Sequence, residues 1–436
     1  MEPAEPWREG LYPVISSLSL AHVRSLDGRE YRFVPGINVI HGKNGCGKTT
    51  VLEAVHLLAQ GFSFRAHDLK ELIAWNANEM ILRGAFEYDG RELARAVQIG
   101  RYKNIVKENG EPLRAVSQFF GKAPAVIMQP SDIELLRGAP EIRRRWLDEI
   151  LCFRSASNAK VLRDYRRVLQ QRNQWLRQFK KDGAALGGED LFHVLTDQLV
   201  ALGAKLWAAR ISLSNEISPI ITGYYRRLSG GVDTITCNYK SSILKDLDAL
   251  DAAVFMDENE LEAVAAESSP QYAPEGCDAG ENGAGQNGAG CNPNDACCAG
   301  SGSASDAPVS EEMLKNAFAE KLAGLEFIEK LQGITMSGPH KDDLALCASG
   351  YEMRSVGSQG QCRSAAIAMR FAAVDVAARY LTKPVLLLDD IFAELDVDRR
   401  GAVASLIREK DCQVLIATPQ VEELPFTADA EISLSD

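Results

Sequence analysis

The chain has 436 residues, 46% hydrophobic and 25% charged, an ordinary globular balance that supports two or three packed units without covalent staples. No uninterrupted apolar run reaches the roughly 18 residues of a membrane span, and the opening Met1-Glu2-Pro3-Ala4-Glu5-Pro6 is acidic and proline-bearing rather than basic then apolar, so a soluble, cytoplasmic protein with no membrane partner is expected. Ten cysteines without regular spacing point to reduced thiols, and the net charge of −12 is uneven: Asp246 to Glu312 holds 15 carboxylates and no Lys or Arg, so its removal alone would turn −12 into +3.

In chain order, apolar Ile37-Asn38-Val39-Ile40, a glycine-rich loop and Thr50 to Gln60, with Val51, Val55 and Leu58 on one face, predict strand, loop and helix. Met80 to Tyr88 and Glu92 to Ile99, joined at Asp89-Gly90 and followed by a turn at Asn109-Gly110, predict an antiparallel layer. From about Pro140 to Arg227 the pattern is long, charged and helical, broken mainly from Asp182 to Gly188, which suggests two antiparallel helices and a turn. Between Glu141 and Lys181 there are 12 Lys and Arg against 4 Asp and Glu, a surplus suited to a phosphate backbone.

From about Pro270 to Pro308 the chain is mostly Gly, Ala, Ser, Asn and Asp, with too little apolar surface to offset ordering entropy, so disorder is expected. Core-like sequence resumes near Met313, which makes this an insertion. A helix near Cys362 to Tyr380, the strand Val385 to Leu388, a helix from Asp398 to Glu409 and the strand Val414-Leu415-Ile416 then complete the first unit. The expected division is 1–139, a helical arm over 140–245, the acidic insertion over 246–312, and 313–436 returning to the first unit.

Three motifs carry chemistry. Gly42-Lys43-Asn44-Gly45-Cys46-Gly47-Lys48-Thr49 fits the phosphate loop G-x-x-x-x-G-K-[ST] and lies between a strand and a helix. Its backbone N–H groups and the helix N-terminus, extending to Thr50, suit the phosphates of ATP; Lys48 would neutralise the β and γ phosphates and Thr49 would hold Mg²⁺. Val385-Leu386-Leu387-Leu388-Asp389-Asp390 is a buried-type strand ending in two carboxylates. Asp389 would face the Mg²⁺ shell, and Asp390 would polarise the attacking water, with a shorter reach than the more usual Glu. Ser358-Gln359-Gly360-Gln361 precedes a helix, with Ser358 placed like an N-cap. A second anion cradle in a chain that already has one makes sense if it completes the nucleotide site of a neighbouring subunit. Ala393-Glu394-Leu395-Asp396 then fits the loop linking two such sites, with Asp396 at its end. Gln129, after the strand-like Ala125 to Met128, is a candidate to touch Mg²⁺ and couple to the arm.

At this point the chain resembles the RecF family, on GKNGCGKTTVLEAVHLLAQGFSFR from Gly42, QPSDIELLRGAPEIRRRWLD from Gln129, GPHKDDL from Gly338, GSQGQCRSAAIAMRF from Gly357 and PVLLLDDIFAELDVDRR from Pro384. The resemblance implies an α/β fold, an ABC-type P-loop ATPase head with an antiparallel β layer plus a helical arm (lobe II) domain. It also implies ATP-dependent homodimerisation, slow hydrolysis and binding to double-stranded or gapped DNA or junctions. Partnership with a RecR-like mediator, recombinase loading at damaged forks and a part in SOS induction follow from the same likeness. Single-stranded DNA is a further candidate ligand. Arg143, Arg144, Arg145, Arg163, Arg166 and Arg167, with Arg172 and Arg177, are candidate phosphate contacts, although charged residues on exposed helices are usually a solvated face. His340 is either a turn histidine or a group near the nucleotide.

Two departures stand out. The chain reads Ala417-Thr418-Pro419 where transporter ATPases carry a switch histidine, which leaves γ-phosphate sensing to Thr418 or makes it weak. The acidic insertion lies outside the family pattern. The rival readings are a chromosome-organising SMC-like head, whose coiled coil would exceed the Ser155 to Arg227 span, a transporter ATPase subunit, and a nucleotide-dependent module with negligible hydrolysis.

Overall fold

The computed structural model describes residues 12–66, 68–184, 187–231, 234–245 and 309–434. The insertion expected to be disordered, apart from 309–312, lies outside the described residues, as do Cys297 and Cys298 and the Met1 to Pro6 segment.

Five strands form a parallel sheet: β3 (Ile37–His41), β8 (Ala125–Met128), β12 (Val385–Asp389), β13 (Val414–Thr418) and β14 (Ala430–Ser433), in the spatial order β14-β3-β13-β12-β8. Side chains alternate between faces along a strand, and here each face meets its own apolar core. Val39, Val126, Met128, Leu386, Leu388, Val414 and Ile416 join one core, while Ile40, Ala125, Ile127, Val385, Leu387, Leu415 and Ala417 join the other. That two-sided burial is why these strands read as continuous apolar runs.

On one face lie α1 (Lys48–Gln60) and a six-stranded antiparallel sheet, ordered β2-β1-β4-β5-β6-β7. Its strands are β1 (Val14–Ala21), β2 (Arg29–Arg32), β4 (Glu79–Tyr88), β5 (Arg91–Gly100), β6 (Asn104–Glu108) and β7 (Glu111–Leu113). Both expected turns form. Asp89 and Gly90 have φ of 51° and 66°, Asn109 and Gly110 have 51° and 83°, the left-handed pairs that match the twist of a two-residue hairpin. Arg95 ties this sheet to α1. Its guanidinium donates to the Leu58 and Ala59 carbonyls at 2.6 and 3.0 Å, to Phe119 O at 2.8 Å and to Glu108 Oε2 at 3.1 Å. It thus caps the carbonyl end of α1 from within the core, where burial pulls it down to about 10 despite Glu108.

The other face carries the arm and a long buried helix. The stretch expected as two helices forms three, α2 (Pro140–Arg154), α3 (Ala156–Asp182) and α4 (Gly188–Leu228), because Ser155 turns extended and caps α3, its side chain accepting from Ser157 N at 3.1 Å. The expected break after Asp182 is present, with Gly183 left-handed at φ 71°. A further helix not foreseen from periodicity, α5 (Glu311–Gln332), packs on α3 and α4 through Leu314, Phe318 and Leu322. Residues 313–332, grouped by the sequence reading with the C-terminal part of the head, therefore pack on the arm. Gly203 inside α4 admits this, since a Cβ there would lie 2.6 Å from Phe318. The buried helix α6 (Gln359–Tyr380) and α7 (Val397–Lys410) complete this layer. Strands β9 (Ile235–Lys240), β10 (Asp343–Ala348) and β11 (Tyr351–Glu352) form a small antiparallel sheet beside it.

The thiol expectation holds for Cys46, Cys152, Cys237, Cys362 and Cys412, which are free, and fails at Cys347 on β10, which is disulfide-bonded. Irregular spacing excludes a framework of bridges but carries no information about a single one.

Charged groups bind the arm together internally. Arg172 is fully buried and donates to Glu329 Oε2 at 2.7 Å, Thr335 Oγ1 at 2.7 Å and Thr196 Oγ1 at 3.0 Å, joining α3, α4 and α5. Arg210 reaches Asp148 at 2.7 Å and the Pro339 carbonyl at 2.7 Å. Removing one member of a buried pair strands the other in low dielectric. Arg172→Ala should therefore lower unfolding free energy by about 3 to 5 kcal/mol, whereas the double change Arg172→Met with Glu329→Leu should recover most of it; urea midpoints followed by helical circular dichroism measure both.

Candidate functional site

The parallel sheet presents the C-terminal ends of its strands along one edge, where loops of α/β folds gather ligands. Register fixes the row. Leu388 pairs with Met128, so Asp389 and Gln129 follow side by side; Asp389 pairs with Ala417, Ala417 with Ile40, and Thr418 with His41, the residue before Gly42. Four of the chain segments that the sequence singled out around a nucleotide, those at Gly42, Gln129, Asp389 and Thr418, thus end on this edge.

The loop from Gly42 to Gly47 leaves β3 and enters α1. Two of its glycines have no substitute. At Gly47, φ is 103° and a Cβ would stand 2.7 Å from Leu26 Cδ2; at Gly42, φ is 153° and a Cβ would meet Leu434 O at 2.7 Å. Gly47 is the N-cap of α1 and makes no side-chain cap, which leaves the first amides of the helix facing the loop. Lys43, Asn44 and Gly45 are exposed, Cys46 is half-buried with a free thiol, and Thr50 is buried beneath. Lys48 Nζ donates to the Gly42 and Lys43 carbonyls at 2.7 and 2.9 Å, which holds the ammonium inside the loop it would neutralise.

Thr49 Oγ1 donates to Asp389 Oδ1 at 3.0 Å, across 340 residues of sequence. A hydroxyl from the first turn of a helix and a carboxylate at the end of a strand form a hard oxygen pair of the kind Mg²⁺ takes, with phosphate and water supplying the rest. Burial raises the Asp389 carboxyl above its usual range, against the lowering influence of Thr49, Arg65 and Lys48; Asp390 adds to the rise. Asp390 follows at φ 51°, a left-handed backbone uncommon for a non-glycine residue, with its N–H donating to Ala417 O at 2.8 Å. Gln129 is half-buried, and its N–H donates to Asp132 Oδ2 at 3.0 Å. Thr418 is buried, its hydroxyl donating to Gln420 O at 3.2 Å.

Ser358 caps α6 as its sequence position suggests. Its Oγ accepts from Gln361 N at 3.2 Å and its N–H donates to Gln361 Oε1 at 2.9 Å, a reciprocal capping box with Ser358 and Gln359 exposed. Asp396 caps α7 without the reciprocal bond, accepting from Arg399 N at 2.9 Å. Several residues missed by the sequence reading tie these pieces together. Arg370 of α6 pairs with Asp132 at 2.7 Å, Arg363 Nη1 donates to Glu394 O at 2.9 Å, and the Arg399 guanidinium lies where a Gly360 Cβ would be, 2.6 Å from Nη1. The available signal was the i, i+7 spacing of Arg363 and Arg370 on a helix otherwise rich in alanine.

The arginines behave unequally. Arg143 is buried and donates to Asp343 at 2.7 and 2.9 Å and to Gly138 O at 2.9 Å, which corrects its reading as a phosphate contact: its donors are spent inside the protein. Arg172 is corrected for the same reason. Arg144 donates to Asp342 O at 2.6 Å. Arg145, Arg166 and Arg167 are exposed but stand near Glu141, Asp148 and Asp164, at 3.8, 2.9 and 3.3 Å; Arg163 and Arg177 are exposed. His340 lies in the arm, its Nδ1 2.8 Å from Tyr165 Oη and its Nε2 3.3 Å from Thr335 O; burial pulls it down to about 4.

A carboxyl whose folded pKa is raised destabilises the folded state once it ionises, and that cost vanishes on acidification below its unfolded value. Asp389→Asn should therefore raise the melting temperature of the nucleotide-free protein at neutral pH, with the gain fading toward pH ~4, near the unfolded carboxyl value; a thermal shift series against pH measures it.

The family model described as "RecF/RecN/SMC N terminal domain" matches residues 14–431. The chain is 30% identical over 411 residues to the DNA replication and repair protein RecF of Geobacter sulfurreducens, covering 94% of each, and 29% identical over 417 residues to that of Cutibacterium acnes, covering 94% of this chain and 93% of the relative. Two solved structures described as the recombination mediator protein RecF of the RecFOR pathway, one with ATP, superpose with a TM-score of 0.75 at 22% identity, covering 98% of this chain and 97% of theirs. The shared fold is that of an ABC-type ATPase head with a helical arm, and on the extent of these matches the chain belongs to the RecF family.

Proposed function

We propose that the chain is an ATP-binding protein of DNA replication and repair, in which Mg²⁺-ATP on the P-loop of one copy is completed by the Ser358 helix of a second. The observation that carries this reading is the Thr49 to Asp389 hydrogen bond, which unites the phosphate loop with the acidic strand end. Relatives named as DNA replication and repair proteins and a RecF structure with ATP support it.

In this reading the N–H groups from Gly42 to Thr50 wrap the phosphates and Lys48 neutralises them. Thr49 and Asp389 hold Mg²⁺, with Gln129 beside them on the same edge. Bound there, the metal would supply charge neutralisation for the phosphates. Asp390 orients the attacking water, and its short side chain, with Thr418 in place of a switch histidine, fits slow turnover. The exposed Ser358 and Gln359 and the half-buried Gly360 and Gln361, with Asp396 capping the next helix, form the face offered to the partner's γ-phosphate, so ATP stabilises the dimer by mass action and hydrolysis releases it. Exposed Arg145, Arg163, Arg166 and Arg167 on the arm would track the phosphates of double-stranded or gapped DNA. A RecR-like mediator, recombinase loading and SOS induction complete the proposal by family likeness.

Lys48→Ala should weaken ATP binding by roughly 10- to 100-fold, as loss of charge-assisted hydrogen bonds predicts; unchanged affinity by calorimetry would count against the P-loop. Ser358→Arg should leave ATP affinity within about twofold while abolishing ATP-dependent dimers, and light scattering that still shows those dimers would refute the shared site.

A further inference from the structure

Two aromatic side chains stand wholly in solvent at one end of the antiparallel sheet. Trp75 is 103% exposed and Tyr102 is 99% exposed, more than any other large hydrophobic among the described residues. Trp75 lies on the loop before β4 and Tyr102 on the loop between β5 and β6. These loops leave the sheet side by side, because Glu79 pairs with Gly100 and the Arg101 N–H donates to Asn78 O at 3.2 Å.

Neither loop is loosely tethered. Ala74 is buried, its N–H donating to His22 O at 2.9 Å, and Ala77 N donates to Ala74 O at 2.9 Å, so the indole is held out by an anchored turn. The second loop closes through Gly100 N to Lys103 O at 3.1 Å, which places Tyr102 between exposed Arg101 and Lys103. Neither of those cations makes an ion pair among the described residues, unlike Arg145, Arg166 and Arg167 on the arm.

Exposed aromatic faces seek stacking partners, and unpaired cations beside them seek anions. Single-stranded nucleic acid presents both at once, a free π face and a phosphate per nucleotide. A duplex hides its π faces in its own stack. We propose that residues 73–78 and 100–103 form a stacking platform for unpaired bases, with Trp75 and Tyr102 taking the bases and Arg101 and Lys103 the adjoining phosphates. The inference rests on the DNA role proposed above for its class of partner, and it assigns the single-stranded portion of a gapped substrate to the layer on the opposite side of the parallel sheet from the arm.

The test uses the full chain, with fluorescence anisotropy on an oligo-dT strand of about 20 nucleotides, long enough to span such a site, and on a duplex of equal length, with and without ATP, across a salt series. Trp75→Ala with Tyr102→Ala should weaken single-strand binding at least tenfold, the scale of lost base stacking, while ATP affinity and duplex binding stay within about twofold. Trp75→Phe should keep the affinity but abolish quenching of indole emission by the strand. Arg101→Gln with Lys103→Gln should flatten the salt dependence for the strand by about two counterions. An aromatic double variant that binds the strand as tightly as the parent overturns the platform, as does a loss shared equally by the duplex. Loss of self-association or of anionic-vesicle binding in place of strand binding would assign the aromatics to another partner and overturn it too. Absence of binding to either form of DNA under every condition would instead sink the DNA role itself.

Discussion

The whole molecule depends on a five-stranded parallel sheet whose two faces are both apolar. Because side chains alternate, one strand such as Val385 to Leu388 feeds two cores, and neither layer can shift without disturbing the other. Parallel direction then does the functional work. Strands that run the same way end on the same edge, so Gly42, Gln129, Asp389 and Thr418, scattered across the chain, arrive together. The antiparallel sheet and α1 sit on one side of that edge and the arm with α6 on the other. The nucleotide loop and the Ser358 cap are thereby carried by different layers of one body.

Much of this was legible in the sequence because the signals are local. The strand, glycine loop and helix around Lys48, the Asp89-Gly90 and Asn109-Gly110 hairpins, and the Ser358 cap each depend on neighbours within a few residues, where periodicity and turn chemistry are informative. What was missed is non-local. Nothing in the spacing of Arg143 or Arg172 says that Asp343 and Glu329 wait to receive them across the fold. A run of arginines therefore looked like one basic face, and proved to be a mixture of internal ties and surface charge. Helix α5 escaped for a related reason: its apolar face is narrow, Leu314, Phe318 and Leu322, and it follows a stretch of sequence whose composition obscures where the helical pattern starts.

The arm shows why its polar motif reads so strongly. In Gly338 to Leu344, Asp342 accepts from Tyr239 at 2.7 Å and from Trp207, Asp343 receives Arg143, and His340 meets Tyr165. Such a segment is a hub of buried and part-buried hydrogen bonds, and low dielectric makes partial satisfaction of such a network costly. Its residues therefore bear on how α2, α3, α4 and the small sheet are held relative to one another.

Gly360 carries a consequence of a different kind. Its backbone is not left-handed, so no turn demands a glycine there; instead the Arg399 guanidinium, itself paired with Asp396, occupies the space a side chain would take. Two positions 39 residues apart are thus coupled through a movable cation rather than through the backbone. A side chain at 360 would push the tip of Arg399 away from Asp396 at the head of α7, so the bareness of one helix start governs where the charge at the next one rests.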